Sequence, residues 1–211
     1  GECFSRKTAT FLLLGNICTR SCRFCNINGK PKDNLEVDYE EPKKVANAVI
    51  EMGLKFVVLT SVTRDDLRDG GTSIFVETIN EIKSRDKTIL IEVLVPDFKG
   101  DEECIDKIVT SDIVVFNHNL ETVKENYKFI RPEAKYERSL KVLDYAKRKN
   151  SSVILKTGIM VGLGETKEQV IELMKDFRSI DGDIITIGQY LMPTKNHYKV
   201  KEYISPKIFE D

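Results

Sequence analysis

The sequence predicts an α/β fold on a parallel sheet, curled into a partial (β/α)6 barrel. Three observations carry this. Short apolar runs rich in Val and Ile recur about six times, longer amphipathic stretches separate them, and the apolar runs show little polar alternation, as strands buried on both faces do. Alternation of strand and helix implies right-handed βαβ units. Six units fall short of the eight of a closed barrel. Periodicity alone does not separate a partial barrel from a flat doubly wound sheet; the small number of units favours the barrel. In either case function is expected just past the strand C-termini.

In chain order, strands are expected at residues 10–14, 56–59, 89–95, 112–116, 152–161 and 183–187. The first helix follows Pro42, a residue suited to a first turn, with Val45, Val49 and Met52 on one face and Gly53 as its stop. Phe75, Ile79 and Ile82 mark the next. Tyr136, Leu140 and Leu143 mark another, and Val170, Met174 and Phe177 the last; these stripes read as core packing. Stretches 101–109 and 120–129 complete the helical set.

Composition narrows the class. Apolar residues make up 41% and charged residues 32% of 211, the balance of a globular chain of one domain. Lys and Arg (33) nearly cancel Asp and Glu (34), which gives no reason to expect nucleic acid or an anionic membrane as partner. No stretch approaches the ~18 apolar residues of a membrane span, and residues 1–7 have no secretory pattern. A cytoplasmic setting is therefore expected, with an organellar targeting segment before Gly1 left open.

Five cysteines are present, three of them within eight residues. Cys18, Cys22 and Cys25 directly follow the first strand. A structural zinc site normally wants four protein ligands in separated pairs, and ferredoxin runs add a further cysteine. Three thiolates on one loop can instead hold three irons of a [4Fe–4S] cluster and leave the fourth open. Zinc, or structural cysteines gathered by chance, are the competing readings. Phe24 is placed to shield such a cluster, and Cys104, beside Ile105 and Ile108, reads as a small buried hydrophobe.

Other polar groups stand at strand ends. Thr60 and Ser61 offer hydroxyls, and the charges of Arg64, Asp65 and Asp66 must be paired or solvated. Asn117 is a candidate polar contact; His118 is read as a satisfied imidazole or, less readily, a proton carrier, and Asn119 as a helix cap. Lys156 either meets a ligand carboxylate or reaches solvent. Gly162 and Gly164 allow close backbone approach to a ligand. Arg131-Pro132 and Gln189 are further candidates.

The cysteine spacing after a first strand resembles the signature of the radical S-adenosylmethionine (SAM) superfamily. Seven blocks in order are similar to its lipoyl synthase family: residues 8–11, 18–25, 60–71, 94–98, 116–123, 158–165 and 188–194, the last followed by His197. The resemblance implies a radical SAM partial (β/α)6 barrel with Cys18, Cys22 and Cys25 on a [4Fe–4S] cluster. It implies SAM on the open iron, held by Thr60, Ser61, Asn117, Lys156, Gly162, Gly164 and Gln189. The reaction implied is sulfur insertion at two unactivated carbons of a protein-bound octanoyl-lysine, through a 5′-deoxyadenosyl radical. Implied partners are an octanoylated lipoyl-carrier domain (H protein or the E2 component of a 2-oxoacid dehydrogenase) and an electron donor such as flavodoxin or ferredoxin.

The family also holds an auxiliary, sulfur-donating cluster. Cys3 corresponds to the last of its three N-terminal cysteine ligands; the other two, and a C-terminal serine motif, have no counterpart in residues 1–211. The expectation is a single core domain spanning 1–211, with residues 1–9 the remnant of the auxiliary-cluster segment and one complete cluster site. Such a chain is either a piece of a longer enzyme or a short form that cleaves SAM without donating sulfur.

Overall fold

The apolar runs form strands and the amphipathic stretches form helices in the computed structural model, which describes residues 5–29 and 35–210. After β1 (Thr8–Leu13), two short strands, β2 (Ile17–Cys18) and β3 (Asn28–Gly29), pair with each other. The main sheet continues with β4 (Phe56–Ser61), β5 (Leu90–Leu94), β6 (Val115–Asn117), β7 (Ile154–Val161) and β8 (Ile184–Gln189). All its pairings are parallel, in the order β1-β4-β5-β6-β7-β8.

That order decides between the two architectures. A doubly wound sheet reverses direction at a switch point, and this sheet never does. Right-handed crossovers then place the helices on one face, so the other face turns inward as the wall of a barrel. β1 and β8 are the two ends of the sheet, and the barrel stays open between them.

The helical layer comprises α1 (Glu41–Glu51), α2 (Thr72–Arg85), α3 (Glu102–Val109), the single turn α4 (Tyr127–Ile130), α5 (Tyr136–Lys149), α6 (Lys167–Ser179) and the short α7 (Pro206–Glu210). Local sequence fixes several starts. Asp101 accepts from the backbone of Glu103 and Cys104 at the head of α3, and Thr166 with Gln169 forms a reciprocal capping box on α6. The core lies between this layer and the sheet, with Leu59, Phe75, Ile79, Ile91, Phe116 and Leu155 fully shielded.

Some sequence expectations are corrected. Met52 is 48% exposed because α1 ends at Glu51 and the chain turns at Gly53 (φ +59°); Ala46 and Val49 are buried instead. On α6 the core-facing set is Val170, Leu173 and Phe177, and Met174, one residue further round, is 40% exposed. Residues 120–129 do not form one helix. Glu121 adopts φ +66° and bridges β7: its N–H donates to Gly158 O and its carbonyl accepts from Met160 N. Helix begins only after a 3-10 turn at Lys124–Asn126, so Asn119 caps no helix. The fourth strand of the expected set is short, Val115–Asn117, and excludes Asp112.

Candidate functional site

The cysteine loop leaves β1 through Gly15 (φ +78°) and folds back over the C-terminal ends of the neighbouring strands. Cys18 ends β2, and a tight turn in which Cys25 N donates to Cys22 O (3.1 Å) brings the other two thiols beside it. All three line one cavity with Ser61 at the end of β4 and Thr63 after it, Val95 and Pro96 after β5, and His118, Glu121 and Arg131 after β6. Backbone N–H groups point at two sulfurs, Arg20 N at Cys18 Sγ (3.4 Å) and Ile27 N at Cys25 Sγ (3.5 Å). Such donors tune a ligated thiolate.

Burial pushes the Cys22 thiol up to about 11, against the pull of Arg131, and burial also raises Cys25. Without a cation these thiols hold their protons at neutral pH, and metal ligation releases them. Among the described residues no three His, Cys, Asp or Glu side chains converge on one metal-ion position. The three thiols that border this cavity are soft donors of the kind an iron–sulfur cluster takes. Cys104 is apart, 5% exposed, with its thiol donating to Asp69 O (3.4 Å). Cys3 lies outside the described residues.

The residues expected at SAM divide into three groups. Ser61 lines the cavity with its hydroxyl buried and without a partner among the described residues; Thr60 also lines it, but its hydroxyl donates to Leu94 O (3.0 Å). Asn117 and Lys156, adjacent in the β6–β7 register, share the buried carboxylate of Glu92 at 2.9 Å each. The Asn117 Oδ1 is buried without a partner among the described residues. Gly162, Gly164 and Gln189 meet the C-terminal segment of the chain. The Gln189 amide donates to Glu202 O and accepts from Ile204 N, and a Cβ on Gly162 would collide with both Gln189 and Glu202 O. The N–H groups of Gly162 and Leu163 are taken by the Glu165 carboxylate.

Two cavity groups stand out that sequence patterns rank low or miss. Arg131 is buried; its Nη1 donates to Asn119 O (3.0 Å) and Leu120 O (3.2 Å), while Nε has no partner among the described residues. The Glu121 carboxylate accepts from Asn119 Nδ2 at 3.3 Å, and burial raises its carboxyl against the pull of Arg131. Only the bridge of Glu121 to β7 turns it to the cavity, and no local pattern signals that. Phe24 lines the cavity and packs on the small apolar cluster of Ile130, Leu163 and Tyr190. From the far end of the chain, His197 Nε2 lies 3.1 Å from Cys25 O and Tyr198 N donates to Arg23 O (2.8 Å). The charges at 64–66 are paired: Arg64 with Asp66, and Asp65 with Arg20.

Residues 12–177 match the model of the Radical SAM superfamily. The chain is 54% identical over 211 residues to a lipoyl synthase of Caldicellulosiruptor saccharolyticus, covering all of this chain and 73% of that protein. It is 51% identical over 209 residues to that of Alkaliphilus metalliredigens, covering 99% and 71%. Among solved structures, a methylornithine synthase superposes with a TM-score of 0.72 at 19% identity, over 93% of this chain and 56% of that one. The FeFe-hydrogenase maturase of Carboxydothermus hydrogenoformans gives 0.74 at 18%, over 93% and 47%. These two likenesses concern the fold alone.

Proposed function

The chain belongs to the lipoyl synthase family of the radical SAM superfamily, and from that premise we propose that Cys18, Cys22 and Cys25 hold the [4Fe–4S] cluster at which SAM is cleaved. Its function is that of a lipoyl synthase: sulfur insertion into a protein-bound octanoyl chain. The observation that carries the site reading is that three thiols and two buried polar atoms without a partner among the described residues, Ser61 Oγ and Arg131 Nε, border one cavity at the strand ends. When bound, the cluster and SAM supply the electron and the adenosyl radical that unactivated C–H bonds require.

The chain's own residues provide the rest. Arg131 offers a buried N–H to a carboxylate, Glu121 an acceptor to an ammonium or hydroxyl, and Ser61 a free hydroxyl, a set matched to the zwitterionic end of SAM. Leu12, Phe24, Ile27, Val62 and Val95 give the cavity an apolar lining, of which Val62 and Val95 are buried while Leu12 and Ile27 reach solvent. Thr60, Asn117, Lys156, Gly162, Gly164 and Gln189 complete the proposed SAM set. Except for the Oδ1 of Asn117, which has no partner among the described residues, their side chains or flanking space are engaged within the chain, so contact with SAM means exchanging those partners.

We assign residues 1–211 to one radical SAM core domain, and Cys3 to the sulfur-donating cluster. The octanoylated substrate is read as a lipoyl-carrier domain, H protein or an E2 component, and the reductant as a flavodoxin or ferredoxin. A cytoplasmic setting accords with bacterial relatives; no helix among the described residues is long and apolar enough to cross a membrane.

Anaerobic reconstitution tests the site. Residues 1–211 are expected to take up about four irons and, with reductant, to form 5′-deoxyadenosine from SAM. Cys22→Ala should lose both the iron and the cleavage; a variant that still cleaves SAM would sink the assignment. Sulfur insertion is read separately, with an octanoylated carrier domain.

A further inference from the structure

Arg20 sits between Cys18 and Cys22 and is 5% exposed. Its guanidinium is used on two edges. Nε and Nη2 donate to the two oxygens of Asp65 at 2.7 and 3.0 Å, and Nη1 and Nη2 to those of Asp97 at 3.0 and 2.7 Å. Asp65 follows β4 and Asp97 follows β5, so one side chain ties the cysteine loop to two strand-end loops that line the same cavity. The neighbouring residue adds to the tie: Thr19 N and Oγ1 both donate to Thr63 O at 2.9 Å, and Oγ1 accepts from Asp65 N. On the outer side Arg138 of α5 donates to Asp97 at 2.8 Å.

Two arginines against two aspartates sum to zero charge, so the cluster sets up little net field at the thiols. What it supplies is geometry. A buried ion network is a poor source of stability, because desolvation offsets its attraction, and specifying one arrangement is its better-attested use. The backbone N–H of Arg20 also donates to Cys18 Sγ, so the seating of this residue is passed directly to the first thiol.

We propose that Arg20 is a positioning residue that seats the cysteine loop against the β4 and β5 loops and so sets where the three thiolates stand relative to the SAM side of the cavity. The proposal rests on the reading that this loop holds the cluster. A lysine keeps the charge but cannot fork two carboxylates, which makes Arg20→Lys the informative change.

The first readout needs no metal. Alkylation of Cys18, Cys22 and Cys25 by iodoacetamide, resolved by peptide mapping, should be about fivefold faster in Arg20→Lys, with buried Cys104 unchanged as the gauge of general opening. The second follows anaerobic reconstitution. At wild-type iron content, the change that SAM induces in the paramagnetic spectrum of the reduced cluster should be weakened, and KM for SAM should rise about tenfold, more than kcat falls. Wild-type thiol rates together with a wild-type SAM response would overturn the proposal. If all four cysteines speed up together, Asp97→Asn decides by the same measurements: selective acceleration supports positioning, and wild-type rates or uniform acceleration overturns it. Native protein that binds no iron would instead defeat the cluster reading and leave the metal-free comparison standing.

Discussion

Both ring nitrogens of His118 are occupied within the chain, Nδ1 at 2.8 Å from Val95 O and Nε2 at 2.9 Å from Ser139 Oγ. The carbonyl only accepts, so the neutral ring carries its proton on Nδ1 and accepts the serine hydroxyl on Nε2. Burial lowers its pKa to about 4 from an ordinary 6.5. Below pH ~6.5 the unfolded chain therefore binds a proton that the folded chain refuses, and stability falls as pH drops towards 4, by up to about 1.4 kcal/mol per pH unit. Asp97 acts in the same direction at lower pH. Burial alone would raise its carboxyl, but Arg20 and Arg138 hold it below the usual carboxylate range, so its contribution is lost only in stronger acid. Thermal melts from pH 7 to 4.5 should show this acid limb, and His118→Gln should flatten it whatever the change does at pH 7. An unchanged slope would remove His118 from the account.

At the level of elements, α6 separates pattern from packing. Its apolar residues include both Leu173 and Met174, and only the first faces the sheet, 2% exposed against 40%. Leu173→Ala should destabilise by about 2–5 kcal/mol through the lost burial and the cavity it leaves. Met174→Ala should stay within about 0.5 kcal/mol, as surface changes do. Urea unfolding of the two variants tests the assignment of the face; equal losses would mean that the helix is rotated from the orientation described.

Across the whole molecule, the segment after β8 is brought to the rim that carries the cysteine loop. The segment after β8 is held by Gln189, and its residues His197 and Tyr198 reach the backbone of Cys25 and Arg23. Gly162 is the hinge of this arrangement: at φ +91°, any Cβ would strike Gln189 and Glu202 O. Gly162→Ala should therefore cost about 2 kcal/mol or more, and should release the C-terminal segment. Limited proteolysis checks this, with faster cleavage near Glu202 than in the native chain. If the variant resists cleavage there, the segment is held by other contacts.

The sequence by itself determined the parallel α/β repeat, the approximate place of its six strands, and the chemistry of the three-cysteine loop. These are local properties: apolar periodicity follows from burial, and closely spaced thiols stay together in any fold. It favoured a barrel over a flat sheet by the number of units, but the periodicity did not decide between them, because that choice rests on the spatial order of strands that only pairing reveals. Nor could it mark Glu121 as a cavity group, single out Arg131 from its other candidates, or place His197 beside Cys25, since those placements depend on a left-handed residue at 121 and on contacts across 172 positions. Arg20 is the clearest instance. Its neighbours in the chain announce a cluster loop, but its partners, Asp65 and Asp97, lie 45 and 77 residues away. Only the side-by-side packing of β1, β4 and β5 brings those charges within hydrogen-bond reach, and so decides where the loop is held.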